Sequence, residues 1–141
     1  MFIGQYEHTI DVKGRLTIPN KFRNLLGEGF VLTRGLDGCL SIYDKSSWEN
    51  LETKLNGLPY TDERARLLRR FILGSSDICE PDKQGRILIP VALRKNANLN
   101  QDIVLIGVGD HIEVWDKDMW IKNNDFDNYE KISKDMNGLG I

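Results

Sequence analysis

The sequence is poor in cysteine: its 141 residues include only two, Cys39 and Cys79, with no Cys-x-x-Cys pair. This excludes a disulfide framework, and the wide separation of the two does not indicate a metal knuckle. No stretch approaches the ~18 consecutive apolar residues of a membrane span. The first eight residues lack the basic segment and apolar block of a signal peptide. We therefore expect a cytoplasmic protein without a membrane partner, in which both thiols are reduced and structural.

The chain also has no excess of positive charge. Nineteen Lys and Arg residues face 21 Asp and Glu residues, for a formal net charge of -2. This balance argues against indiscriminate binding to nucleic acid through a uniformly basic surface. However, segments 11–24 and 82–95 each carry four basic side chains against one acidic side chain, whereas segment 110–141 is acidic. The sequence therefore predicts two local basic sites on an otherwise acidic chain.

The two basic segments are copies of each other. Residues 11–23 and 82–94 align at an offset of 71. The identical pairs are Asp11/Asp82, Gly14/Gly85, Arg15/Arg86, Ile18/Ile89, Pro19/Pro90 and Arg23/Arg94. At an offset of 72 the similarity continues through Gly35/Gly107, Asp44/Asp116, Lys45/Lys117 and Trp48/Trp120. We interpret the chain as a tandem duplication.

Each copy predicts the same order of elements: strand, turn, strand, short helix, hairpin and helix. Asp-x-x-Gly is typical of a type I turn, and the apolar residues before Pro19 and Pro90 predict short strands. Predicted hairpin strands span 30–33, 40–43, 103–106 and 112–115, and predicted helices span 45–56, 62–73 (capped by Thr61) and 117–122. The tail is predicted to be a frayed helix or disordered. The resulting division is a first repeat at 1–56, a connecting segment at 57–76, a second repeat at 77–122 and a polar tail at 123–141.

The Asp-x-x-x-Arg pattern, present as Asp11/Arg15 and Asp82/Arg86, is the strongest candidate binding feature. A single copy could be a structural turn with an exposed ion pair worth only ~0–1 kcal/mol. Two copies about a pseudo-twofold axis instead present two guanidinium groups to the two edges of a duplex. Arginine can donate two hydrogen bonds to guanine O6 and N7, and the carboxylate can orient the guanidinium.

Other basic residues have less specific interpretations. Lys13 and Lys83, in or beside the turns, are candidates for phosphate contacts. Arg23 and Arg94 are interpreted as long side chains that cover core surface. The arginines between positions 64 and 70 are interpreted as a solvated helix face that pairs with Asp62 and Glu63 or with a neighbouring subunit.

Catalysis and metal binding are weaker alternatives. Asp11 and Asp82 resemble the carboxylates of an aspartic-protease dyad, but each has an arginine four residues later that favours the ionised form. A Cys/His set of His8, Cys39, Cys79 and His111 could hold zinc only across spacings far wider than those of structural zinc sites. We therefore expect no enzymatic activity, cofactor, metal or small-molecule substrate.

Four segments, at 1–11, 13–19, 32–40 and 82–90, closely resemble the MraZ family of bacterial transcriptional regulators. The resemblance extends over about residues 1–122. It implies an α+β fold of two tandem swapped-hairpin (SpoVT/AbrB-like) β half-barrels that form one pseudo-twofold barrel with flanking helices. It also assigns Asp11, Arg15, Asp82 and Arg86 to DNA contact.

The resemblance further implies a nucleoid-associated, ring-shaped homo-oligomer. Such a ring would bind short G-containing direct repeats in the promoter region of the division and cell-wall gene cluster. Multivalent binding would compensate for the weak affinity of one net-acidic subunit. Phe2, Ile3 and the apolar residues of segment 67–73 are candidates for subunit contacts. The alternative function is a non-enzymatic protein-interaction or scaffold module.

Overall fold

The computed structural model describes all residues, 1–141, and has an α+β fold with antiparallel sheets. The strands are β1 (Phe2–Thr9), β2 (Arg15–Thr17), β3 (Phe30–Arg34), β4 (Leu40–Tyr43), β5 (Asp77–Cys79), β6 (Arg86–Leu88), β7 (Asp102–Gly109) and β8 (His111–Asp116). The helices are α1 (Asn20–Leu26), α2 (Lys45–Asn56), α3 (Glu63–Ile72), α4 (Val91–Asn96), α5 (Lys117–Asn123) and α6 (Tyr129–Asp135), followed by a 3₁₀ turn (Met136–Leu139).

The two repeats exchange their first strands. The six-stranded sheet has the order β1-β7-β8-β4-β3-β5. Strand β1 of the first repeat thus pairs with β7 of the second, and β5 of the second pairs with β3 of the first. Each repeat completes its share of the sheet with a strand from the other, so the two fold as one unit.

A pseudo-twofold axis relates the two repeats and passes through two strand pairings. In the large sheet, β4 pairs with β8 so that Leu40 lies opposite Val114 and Ile42 opposite Ile112. A separate two-stranded sheet pairs β2 with β6, with Leu16 opposite Ile87. The duplication found in the sequence is therefore a symmetry of the fold.

The closed pseudo-twofold barrel that was expected is not observed. The large sheet is open, with β1 at one edge and β5 at the other, and β2 and β6 form their own small sheet. The short β5 pairs over only three positions. An isolated bridge between Ile10 and Leu16 joins the two sheets without closing them.

The main core lies between the two sheets and contains 19 buried residues drawn from both repeats. Strands β2 and β6 contribute Leu16 and Ile87, whose side chains alternate with the outward-facing arginines. Phe2 was a candidate subunit contact, but this is wrong: its ring is 2% exposed and packs edge-on against Phe22 at 6.0 Å between centroids. Ile3, the next residue along the strand, is exposed.

Helix boundaries agree with the sequence in part. The 45–56 helix is found as predicted, with the Asp44 side chain accepting a hydrogen bond from Ser47 N. Helix α3 is one residue shorter at each end than predicted: Asp62, and not Thr61, is its N-cap, and Leu73 is its C-cap. Every residue from position 125 onward is exposed, although the tail forms α6 and the 3₁₀ turn. None of the helices combines the length and apolar character that crossing a bilayer requires.

Candidate nucleic-acid interface

The Asp-x-x-Gly segments form two nearly identical turns. In the first, Gly14 N donates to Asp11 O at 3.0 Å, and in the second, Gly85 N donates to Asp82 O at 2.9 Å. The two glycines have φ values of +83° and +77°, a region that side chains of L-amino acids avoid. The invariant spacing of Asp and Gly in both copies follows from this geometry.

Each turn carboxylate holds the arginine that follows it. Oδ1 of Asp11 accepts hydrogen bonds from the backbone N–H groups of Lys13 and Arg15, and Oδ2 accepts from Arg15 Nε at 2.7 Å. The second turn has the same pattern, with Arg86 Nε at 2.8 Å from Asp82 Oδ2. Because Nε makes this bond, Nη1 and Nη2 of each guanidinium remain to bind another partner.

The same contacts lower the pKa of both carboxyl groups below the ordinary range of aspartate. The largest cause is the backbone hydrogen bond from Arg15 to Asp11 and from Arg86 to Asp82. The side-chain hydrogen bond from each arginine adds to it. Both carboxylates are therefore ionised at neutral pH, which does not suit a dyad that shares one proton.

The two arginines lie on the same outer face of the small sheet, which we call the β-ribbon (Arg15–Thr17 paired with Arg86–Leu88). In its register Arg15 is opposite Leu88 and Thr17 is opposite Arg86. Successive side chains of a strand point to opposite faces, so these residues share one face and Leu16 and Ile87 share the other. Since the second pair is buried in the core, the arginine-bearing face is directed outward.

Arg23 and Arg94 are half-buried, and their guanidinium groups lie beside the two turns. A Cβ atom added to Gly14 would lie 2.7 Å from Cζ of Arg94, and one added to Gly85 would overlap the guanidinium of Arg23. Each guanidinium therefore lies against the turn of the other repeat. The Nε atoms of both are buried without a hydrogen-bond partner. The repeat alignment marked these residues as a matched pair, but not their position beside the turns.

Lys13 and Lys83 are the remaining predicted site residues. Both are exposed, and neither forms an ion pair within the chain. Lys13 follows Asp11 by two residues and Lys83 follows Asp82 by one, so each belongs to its turn. The structure thus gathers all six predicted residues at two turns that flank the β-ribbon.

The other clusters considered from the sequence separate in the structure. No group of three or more His, Cys, Asp or Glu side chains comes together in a way that could hold a metal ion. Cys39 and Cys79 are buried free thiols, and burial raises the pKa of each to about 12. For Cys39, neighbouring Glu113 raises the pKa further.

The arginine-rich helix α3 has mainly local contacts. Arg64 pairs with Asp62 at 2.8 Å, as expected of a solvated helix face. Arg69 was expected on that face as well, but it instead donates hydrogen bonds to the carbonyl oxygens of Leu55, Asn56 and Leu58. It therefore ties α3 to the end of α2.

Comparisons with known proteins agree with one another. The sequence model of the family described as "MraZ protein, putative antitoxin-like" matches twice, over residues 1–71 and 72–137. Three relatives carry the name "Transcriptional regulator MraZ". A Thermoanaerobacter sp. (strain X514) protein is 50% identical over 143 residues, which cover 100% of both chains. A Clostridium tetani protein is 50% identical with the same coverage, and one from Heliobacterium modesticaldum is 47% identical over 96% of each chain.

Proposed function

Because the chain belongs to the MraZ family, we propose that it is a non-enzymatic transcriptional regulator that binds specific sequences of double-stranded DNA. The names of its relatives support the regulatory role. The β-ribbon supports the DNA contact, since it provides two oriented guanidinium groups on one outward face.

The shape of the β-ribbon and the position of its arginines suit the major groove of DNA. A two-stranded antiparallel ribbon fits the major groove of B-form DNA, where each base pair presents a distinct pattern of donors and acceptors. Arg15 and Arg86 would each bind O6 and N7 of a guanine through Nη1 and Nη2, while Asp11 and Asp82 hold Nε. A carboxylate that fixes the guanidinium reduces the entropy that is lost on binding.

The cations around the ribbon would bind phosphates. Lys13 and Lys83 on the turns, together with Arg23 and Arg94 beside them, add positive charge on either side of the arginine pair. Phosphate contacts position a protein on a duplex without distinguishing its sequence. This division of roles explains how a net-acidic chain can bind DNA through one locally basic face.

The target and the assembly are further parts of the proposal. Short G-containing direct repeats in the promoter of the division and cell-wall gene cluster would be bound by a homo-oligomeric ring in the nucleoid. Several subunits that engage several repeats gain affinity through effective concentration, without new contacts. The exchanged strands β1 and β5 would be the swapped elements of a SpoVT/AbrB-like fold. The repeats at 1–56 and 77–122 would act as one DNA-binding unit, with 57–76 connecting them and the tail at 123–141 outside it.

A salt titration tests the proposal against its alternative, a protein-interaction or scaffold module. For a promoter fragment of the host's division cluster, the logarithm of the binding constant should fall linearly with the logarithm of the salt concentration, because phosphate contacts release counterions. A scrambled fragment of equal length should bind more weakly at every salt concentration. Absence of binding to any such fragment, even at low salt, would favour the scaffold function.

A further inference from the structure

The outward face of the β-ribbon is not symmetric. Thr17 of the first repeat corresponds to Leu88 of the second, and the two lie at opposite corners of that face, across from Arg86 and Arg15. Leu88 is 61% exposed, whereas the neighbouring Ile87 and Ile89 are 1% and 0% exposed. Scattered exposed apolar side chains are ordinary, but this one shares a face with both arginines. A partner that contacts the arginines on this face would therefore also meet Leu88.

We propose that Leu88 is a specificity-determining residue that contacts the C5-methyl group of a thymine in the major groove. This inference rests on the proposed DNA-binding function. The thymine methyl is the apolar group that an unmodified base pair presents in that groove, and apolar side chains recognise it by contact. Because Leu88 lies directly opposite Arg15 in the register, the thymine would be close to the guanine that Arg15 contacts.

The difference between Thr17 and Leu88 also gives each subunit a direction on DNA. A protein with true twofold symmetry favours a palindromic site, because both halves make the same contacts. Here a hydroxyl-bearing side chain next to Arg86 replaces the apolar one next to Arg15. The two turns also differ in sequence, since Val12 and Lys13 of the first correspond to Lys83 and Gln84 of the second. Each subunit would therefore bind an asymmetric site in one orientation.

Replacing thymine by uracil tests this inference, because the substitution removes only the C5-methyl group. The probe is a duplex that the wild-type protein selects from a randomised pool, prepared with each thymine in turn changed to uracil. The proteins are the wild type, Leu88→Thr, the exchange variant Thr17→Leu/Leu88→Thr, and Leu36→Thr as a control. Leu36 is a leucine of similar exposure, 75%, in the turn between β3 and β4, two strands of the large sheet and not of the ribbon.

For the wild type, replacing thymine by uracil at one position on the Arg15 side should weaken binding about three- to fivefold. This factor corresponds to the free energy of burying one methyl group. Leu88→Thr should lose this sensitivity at that position while Leu36→Thr retains it. The exchange variant should transfer the sensitivity to the other half of the site. Thermal unfolding should be unchanged in all variants, because the side chains are on the surface.

Three results would overturn the inference. One is a selected site with no methyl-dependent position, and another is a methyl sensitivity that persists in Leu88→Thr. The third is a change in oligomer mass on Leu88→Thr in sedimentation, which would make Leu88 a subunit contact. In each of these cases selective DNA binding by the wild type would leave the proposed function standing. If the pool yields no selected duplex at all, the proposed function fails together with the inference.

Discussion

Arg15 and Arg86 lie at opposite ends of the β-ribbon, on one outward face, and each is held through Nε by an aspartate four residues earlier in the chain. The two ion pairs are alike, with N···O distances of 2.7 and 2.8 Å, because both repeats fold into the same turn. The guanidinium groups are therefore fixed relative to each other by the pairing of β2 with β6. Bidentate recognition of two bases requires this kind of fixed geometry.

The turn glycines should not tolerate a side chain. Gly14→Ala places a Cβ against the guanidinium of Arg94 at a φ of +83°, and Gly85→Ala does the same against Arg23 at +77°. Positive φ alone costs about 1–3 kcal/mol. Chemical denaturation should show this loss for each variant, whereas Gly138→Ala, in open space at the tail, should leave stability unchanged. Equal stability of Gly14→Ala and Gly138→Ala would contradict the turn geometry.

Lys13 should contribute affinity without specificity. Lys13→Ala is expected to weaken binding to target and scrambled duplexes by the same factor, because a phosphate contact does not depend on the base sequence. It should also reduce the slope of log K against log salt concentration by about one, because one fewer phosphate contact releases counterions. Fluorescence anisotropy at several salt concentrations measures both quantities. Lys122→Ala, which removes a lysine on α5, is the matched control. A greater loss on the target than on scrambled DNA would indicate that Lys13 contacts bases.

Acid should break the turns only well below neutral pH. The pKa of Asp11 is lowered in the folded state by hydrogen bonds from Arg15, so its contribution to stability is present above the unfolded pKa of about 3.9 and is lost as pH falls through the folded value. The stability difference between the wild type and Asp11→Asn should therefore be constant from pH 8 to pH 5 and shrink below pH 4. A difference that changes near pH 6 would assign the titration to another group.

Both cysteines should be chemically inert in the folded protein. Burial raises the pKa of Cys39 and Cys79 to about 12, so almost no thiolate exists at pH 8. Iodoacetamide at pH 8 should modify neither thiol under native conditions and both in denaturant, as measured by intact mass. Rapid native labelling of either residue would show that its thiol is accessible.

Local features of the fold could be predicted from the sequence. The Asp-x-x-Gly spacing predicted both turns, and the 45–56 helix was predicted with its observed bounds, because turns and helix starts depend on residues close in the chain. The repeat predicted that the two arginines would be equivalent. It did not predict which face of a strand would carry them, which depends on the burial of Leu16 and Ile87.

Long-range features could not be predicted in this way. No periodicity indicates that β1 pairs with β7 of the other repeat, since strand partners are chosen by tertiary packing. For the same reason Phe2 seemed to be a surface residue at the chain terminus, although pairing of β1 directs its ring into the core. Arg23 was interpreted as covering the core, and only the pairing of the repeats brings it to Gly85.

Replacing Arg15 by lysine tests direct recognition of bases by this residue most directly. Lysine keeps the positive charge but loses the planar group that binds two guanine acceptors. The free energy of discrimination, RT ln of the ratio of Kd for scrambled DNA to Kd for the target repeats, should fall by about 1–3 kcal/mol per engaged copy. Binding to scrambled DNA itself should change much less. The Arg86→Lys variant should lose discrimination in the same way. Lys13→Arg is the control and should retain it. If Arg15→Lys discriminates as well as the wild type, Arg15 forms only a structural ion pair and the proposed readout is wrong.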